Sequence, residues 1–385
     1  KPFNTLIIKN AAIIDREPAA EGADTLFKAQ YVIARFTLGG LLDKEGLRIG
    51  RAYVTNACMT LVIEGYRANN LTRIFRIPLP DPDRPKKEGT VFRIRRASVN
   101  DMTFRLLNVM ENRPEYAGHG INWNDLEVND INIEARKLEL TDNVMTGAVD
   151  YMTFTEKSGY ICSSITGKAT VGNGRSLIEE IRISDPWSEL YIPEYSMSYD
   201  SPLDFSDYIG KIRMKGVIGK SSLDMKTLSY FAPGLSGISL KADISGTVTG
   251  TVSDLHFRDM SVNTKDSVIL RFDGDMRGLP DIARTDITLD LHQLRCTSAG
   301  LEATVRSFSP DTELGIAGFA GNSVFRFRGH AKGLPDRMDV DMVASTGSGY
   351  AKADVKIENL LSGSESVRIE GNILSNNLDI GQIIG

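Results

Sequence analysis

The sequence is poor in the groups that carry covalent and metal chemistry. Among 385 residues there are three cysteines, Cys58, Cys162 and Cys296, and four histidines, His119, His256, His292 and His330. Three widely spaced cysteines, an odd number, form neither a disulfide framework nor a metal knuckle, and they read as small buried apolar residues. The histidines fall at turns or on polar strand positions with no pairing at metal-ligand spacing, so they read as solvated side chains. A nucleophile elbow, a phosphate-cradling P-loop and a helix-opening G-x-G-x-x-G are all missing. No catalytic residue, metal site or cofactor is expected.

Excess positive charge is also missing. A net charge of -5 and a pI of about 5.6 argue against nucleic acid or an anionic membrane surface as the main partner, although neither is excluded locally. No stretch approaches the roughly eighteen uninterrupted apolar residues of a membrane span. The chain opens on Lys1-Pro2, which reads as a piece of a longer protein whose signal or anchor lies upstream. Strand-like alternation in "SVRIEGNILSNNLDIGQIIG" predicts continuation past Gly385.

What the chain has instead is alternation. In "GISLKADISGTVTGTV", residues 237–252, Ile238, Leu240, Ala242, Ile244, Val248 and Val252 share one parity with Gly246 and Gly250, while the other parity is Ser, Lys, Asp and Thr. A strand sends successive side chains to opposite faces, so one face here is apolar and the other wet. The scheme recurs with Val268, Leu270, Phe272 and Met276, with Ile287, Leu289 and Leu291, and with Met338, Val340, Met342, Val355 and Ile357. One solvated face per strand is the signature of antiparallel sheet. Helix signals are few and short: "LGGLLDKEG" from Leu38, and "DMKTLSYFAPG" from Asp224, which opens on a capping Asp and stops at Pro233-Gly234.

"FDGDMRGLPD" (272–281) and "FRGHAKGLPD" (327–336) form a partial repeat 55 residues apart, a hint of an elongated array. Gly-Leu-Pro-Asp is turn chemistry, with "GTVSDL" (250–255) as a simpler version, and its aspartates receive no catalytic role. Pro78, Pro80, Pro82 and Pro85 mark a loop or linker over 78–89, dividing a first β unit (1–77) from the rest (90–385). In "NWNDLEVNDINIE" (122–134), Asp125, Glu127, Asp130 and Glu134 alternate with apolar residues, which favours a solvated strand face over a calcium loop. Trp123 and Trp187 read as packing anchors rather than sugar-stacking platforms.

The ordered segments "FNTLIIKNAAIID", "TLFKAQYVIARFTLGGLLDKEGLRIGRAYVTNACMTLVIEG", "FRIRRASVNDMTFRLLN", "INWNDLEVNDINIEARKLEL", "MTFTEKSGY", "LYIPEYSMSYDS", "LSYFAPGLSG", "ISGTVTGTVSDL" and the two Gly-Leu-Pro-Asp units resemble the TamB branch of the AsmA-like family, in its Bacteroides-type form. The resemblance covers nearly the whole chain. It implies an all-β fold: an elongated, mainly antiparallel β-taco or groove with an apolar interior and a few short helices. It further implies a non-enzymatic periplasmic protein that moves phospholipid between inner and outer membrane. An N-terminal inner-membrane anchor and a contact with an Omp85-class outer-membrane barrel belong to regions outside this chain.

On that reading the apolar parity lines a channel for phospholipid acyl chains. Its candidate lining is Ile238, Leu240, Ala242, Ile244, Val248, Val252, Val268, Leu270, Phe272, Ile287, Leu289, Leu291, Met338 and Val340. Without the resemblance, an ordinary closed core is the plainer reading of the same residues. A chaperone that pairs incoming outer-membrane strands at a sheet edge is the same-process alternative. A polysaccharide-active β-helix enzyme and an adhesin are the others. The 55-residue unit is too long for one β-helix coil, and aromatics make up only 8% of the chain.

Overall fold

A computed structural model describes residues 4–36, 46–65, 68–75, 91–110, 115–116, 118–172, 174–200, 204, 207–265, 268–308, 324–347, 349–359 and 367–376. The chain is all-β and mainly antiparallel, with a few short helices. It divides into two compact units, Lys1–Asp207 with Thr227–Gly234, and Tyr208–Lys226 with Leu235–Gly385.

The first unit holds β1 (Thr5–Ile14), β2 (Thr25–Phe36), β3 (Gly46–Gly65), β4 (Ala68–Asn69), α1 (Asn70–Ile74), β5 (Val91–Asn108), β6 (Asp125–Thr141), β7 (Val144–Glu156), β8 (Ile161–Gly172), β9 (Arg175–Ser184) and β10 (Glu189–Ser198). Each strand pairs antiparallel with the next, except that the short β4 pairs only with β3, and β3 and β5 run parallel from Gly46 opposite Val91 to Ile63 opposite Asn108. Strands on the two sides of the proline-rich stretch therefore share one sheet. The stretch 78–89, like the helix signal from Leu38, lies outside the described residues.

Turn chemistry sets the joints. Asp142 and Asn143, both at positive φ, form the two-residue connection between β6 and β7, a geometry that matches the twist of the flanking strands. Helix α1 opens on a capping box in which Asn69 and Thr72 satisfy each other's backbone N–H. It is held to β3 by Asn70, fully buried, which accepts from Val62 N–H and donates to the Thr60 carbonyl.

The second unit holds α2 (Tyr208–Lys211), β11 (Arg213–Asp224), β12 (Lys241–Thr251), β13 (Asp254–Thr264), β14 (Ile269–Arg277), β15 (Asp286–Thr297), α4 (Ser298–Phe308), β16 (Val324–Leu334), β17 (Arg337–Ser345), β18 (Tyr350–Glu358) and β19 (Arg368–Asn376). It is a meander in which β11 to β19 each pair antiparallel with the next. Helix α3 (Met225–Phe231) begins where the Asp224 signal places it, and Asp224 Oδ1 accepts the Lys226 N–H.

The two Gly-Leu-Pro-Asp copies make different connections. Pro335-Asp336 alone turns β16 into β17, with Leu334 opposite Arg337. After Asp281 the first copy adds a 3-10 turn over Ile282–Arg284 before β15 starts.

Candidate functional site

In the second unit, cross-strand register gathers the apolar parity of nine strands onto one face. One row runs Gly216, Val248, Phe257, Gly274, Leu289, Ala331, Val340, Val355, Gly371 from β11 to β19. Beside it runs Met214, Gly250, Leu255, Met276, Ile287, Gly333, Met338, Ile357, Ile369. On the other side lie Phe272, Leu291, Gly329, Met342, Ala353 and Ile373, then Ile244, Val262, Leu270, Leu294, Phe327 and Ala344. Directly opposed apolar side chains stabilise a sheet pair by pair, and here the pairs join into a continuous surface.

Ten of the fourteen candidate lining residues stand in these rows or in the adjoining Ala242 position: Ala242, Ile244, Val248, Leu270, Phe272, Ile287, Leu289, Leu291, Met338 and Val340. The other four do not. Strand β12 starts only at Lys241, so Ile238 and Leu240 precede it, and the Leu240 carbonyl accepts from Met225 N–H. Val252 sits in the turn between β12 and β13, and Val268 lies just before β14.

Among the described residues little packs over this face. Val268, Cys296 and Phe325 form a buried cluster, with Leu294, Phe327 and Leu301 of α4 packed against it. Tyr208 of α2 reaches Met214 at another end. Between these, Ala242, Gly274, Leu291, Ala331 and Val355 are buried, the other positions are mostly partly exposed, and at β19 Ile369 and Ile373 are 61% and 66% exposed. Contiguous apolar surface left open on this scale marks a place for a ligand or partner.

The opposite face is ionic. His256 Nδ1 lies 2.6 Å from Asp275, which also accepts from Arg258. His292 meets Asp273, and His330 meets Asp290. The hydrogen bond from His256 holds the Asp275 carboxyl below the usual carboxylate range, and the Asp259 backbone N–H does the same for Asp273. These are solvated cross-strand pairs. Among the described residues no group of His, Cys, Asp and Glu could hold a metal ion.

The first unit has an apolar face of its own, in the row Ile8, Val32, Val54, Val99, Ile133, Met152, Ile165, Ile183, Leu190 from β1 to β10. Next to it lie Leu6, Ala34, Ala52, Ala97, Ala135, Val149 and Gly167. Three of the four acids of 122–134 are spent on neighbours: Asp125 pairs with Lys157, Glu127 with Arg105, and Glu134 accepts from Ser98. Trp187 stacks on Tyr230 at 5.9 Å, within a cluster that includes Tyr160 and Phe231, whereas Trp123 is exposed.

Sequence reasoning passed over an ion triad built on the buried Asp15 in this unit. Arg73 of α1 grips Asp15 with two 2.7 Å bonds and Glu64 with bonds of 2.6 and 3.1 Å. The Arg73 hydrogen bond holds the Asp15 carboxyl below its ordinary range. Asp15 lies 58 residues from Arg73 and is brought to it only by the fold. Burial pushes the Cys162 thiol up to about 11, in keeping with a packing role.

No family model matches the chain, and comparison with curated proteins and with solved structures finds no match. Among the described residues no helix is long and apolar enough to cross a membrane.

Proposed function

We propose that the apolar face of the second unit carries phospholipid acyl chains, and that the protein serves as a periplasmic bridge for lipid between inner and outer membrane. The observation that supports this reading is the apolar surface, in register across nine strands and partly exposed over most of its positions, with its one buried cluster among the described residues at α4. The physical case is direct. Each methylene of a lipid tail costs about 0.8 kcal/mol to expose to water, so two tails of ordinary length face a prohibitive barrier in an aqueous gap. A continuous apolar surface removes most of that cost while the headgroup remains solvated. Such transfer needs no bond making, and the surface equilibrates lipid without giving it direction. The ordered resemblance to the TamB branch supports the same reading.

A second reading has one observation of its own. Strand β19 pairs with β18 on one side, and all its residues are exposed, a geometry suited to accepting an incoming outer-membrane strand.

The test is native mass spectrometry of the chain expressed in a Gram-negative periplasm and purified without detergent. The parent is expected to carry phospholipid. A folded Leu289→Asp/Val340→Asp variant is expected to carry at most a tenth as much, and Thr288→Asp, on the polar face, as much as the parent. An empty parent sinks the conduit, and retention that follows truncation of β19 rather than the inward aspartates selects the strand-binding reading.

A further inference from the structure

The polar face of the first unit carries an arrangement that strand register alone creates. Arg35 of β2 stands opposite Arg51 of β3, Arg51 opposite Arg96 of β5, and Arg96 opposite Arg136 of β6. Four guanidinium groups thus occupy one transverse line over about 14 Å, three strand spacings. Like charges placed directly opposite each other destabilise a sheet.

Elsewhere in the same sheet like charges also stand opposite each other, Arg48 against Arg93 and Glu179 against Glu194, but there the cations have carboxylates at hand. Arg93 faces Glu139 at 3.0 Å, Arg105 faces Glu127, and Lys168 meets Glu180 at 2.9 Å. Within the row, Arg136 is bound by Asp150, but Arg35, Arg51 and Arg96 have no carboxylate partner among the described residues, and neither has Arg95 beside them. Arg35 lies over the Tyr53 ring, 5.6 Å from its centroid, and Arg51 reaches only the Tyr53 hydroxyl at 3.5 Å.

The backbone concentrates the charge. In β3 the apolar positions Ile49 and Ala52 are three apart, as are Ile94 and Ala97 in β5, so two successive residues per strand are left for the other side. In β5 both of these are arginine, and both are exposed. Arg35, Arg51, Arg95 and Arg96, with Phe36 and Gly50, line an open depression of ≈ 370 Å³.

We infer that this row binds phosphate-bearing anions. The guanidinium fork matches two oxygens of a phosphate, and several unpaired forks around one open depression give more than a diffuse positive field. The net charge of -5 disfavours nucleic acid, whose backbone rewards a broadly basic surface. The inference is independent of the acyl-chain reading, since it concerns the other face of the other unit.

The whole chain is titrated at low salt with phosphatidylcholine vesicles, with the same vesicles containing phosphatidylglycerol, and with inorganic pyrophosphate. The variants are Arg51→Gln/Arg96→Gln and Arg51→Lys/Arg96→Lys. Binding to an anionic arm is expected to fall at least tenfold in the glutamine variant and by less in the lysine variant. The glutamine variant is also expected to melt higher than the parent, because repulsion is relieved. Vesicle binding without pyrophosphate binding assigns the site to lipid headgroups, and the reverse to a free phosphate compound. The inference is overturned by a parent that binds neither anion, by a folded glutamine variant that binds as well as the parent, or by tighter binding of single-stranded DNA.

Discussion

Strands of both units depart from regular geometry, but with different residues. In the first unit the positive-φ positions within strands are Asn10, Asn56, Asp101, Asp130, Lys137 and Glu180, with glycine at the strand ends Gly46 and Gly172; in the second they are Gly246, Gly250, Gly329, Gly333 and Gly371, with Asp259 the exception. The cause is what a side chain would meet. Asn56 is exposed and hydrogen-bonds Gln30, its neighbour in the register row Asn10, Gln30, Asn56, Asp101. Asn and Asp tolerate the left-handed region and keep their polar ends in water. At Gly329 an added Cβ would lie 2.1 Å from the Asp341 carbonyl oxygen, and at Gly371 it would lie 2.2 Å from that of Asp354. At these second-unit positions, as at Gly46 and Gly172 at strand ends of the first, the neighbouring backbone itself occupies the space, and only glycine fits.

The largest effect is expected where this difference is attacked directly. Gly329→Val combines an unfavourable φ with a backbone clash and should cost about 3 kcal/mol or more. Asn56→Gly should cost no more than about 1 kcal/mol, since glycine accepts the same φ. Hydrogen exchange of the β16–β17 and β3–β5 amides reads each unit separately, which a single melting curve of a two-unit chain does not. Equal costs at the two positions would erase the comparison.

Charge is also placed differently. The first unit buries Asp15 to 3% exposure against Arg73, whereas the second keeps its carboxylates on a wet face. Arg73→Met leaves a buried carboxylate unpaired, for an expected loss of about 3 kcal/mol in the first unit at neutral pH. Because Arg73 lowers the folded-state value of Asp15, this stability is complete above the unfolded carboxylate value of about 4 and is lost as pH falls through the folded one. The deficit of Arg73→Met relative to the parent should therefore shrink in acid. A deficit constant from neutral pH to about pH 2 would mean that packing, not the ion pair, holds α1.

Much of the fold was legible because period-two alternation is a direct print of a half-exposed strand. It located β12, β14, β15, β17 and β18 and the apolar side of each. It failed where the step changes from two to three: Val54 and Ala57, or Val99 and Met102, share a face across a kink, so parity cannot be carried along the strand. It also ran past a boundary at Ile238 and Leu240, since an extended segment alternates whether or not it is paired. Helix α4 was missed because Ser298-Ala299-Gly300 is a weak start. The arginine row is dispersed over four strands, yet each member adjoins an alanine of the apolar face: Ala34-Arg35, Arg51-Ala52, Arg96-Ala97 and Ala135-Arg136. The dipeptide reverses wherever the strand direction does, and it could have been found by assuming register.

The smallest effect is expected on the wet face of the second unit. Asp275 accepts from His256 and Arg258 but lies at the surface, where pairs of this kind contribute under about 1 kcal/mol after screening. Asp275→Asn should therefore change β13–β14 exchange only slightly at neutral pH. The direction with pH is the same as for Asp15, because His256 and Arg258 lower the folded value here too: the small loss belongs above about pH 4 and vanishes below it. High salt should weaken it further, whereas the buried triad of the first unit should respond little to salt. If Asp275→Asn cost as much as Arg73→Met, the ionic face would be a structural element in its own right. The apolar face behind it would then need less packing of its own to stay flat and open.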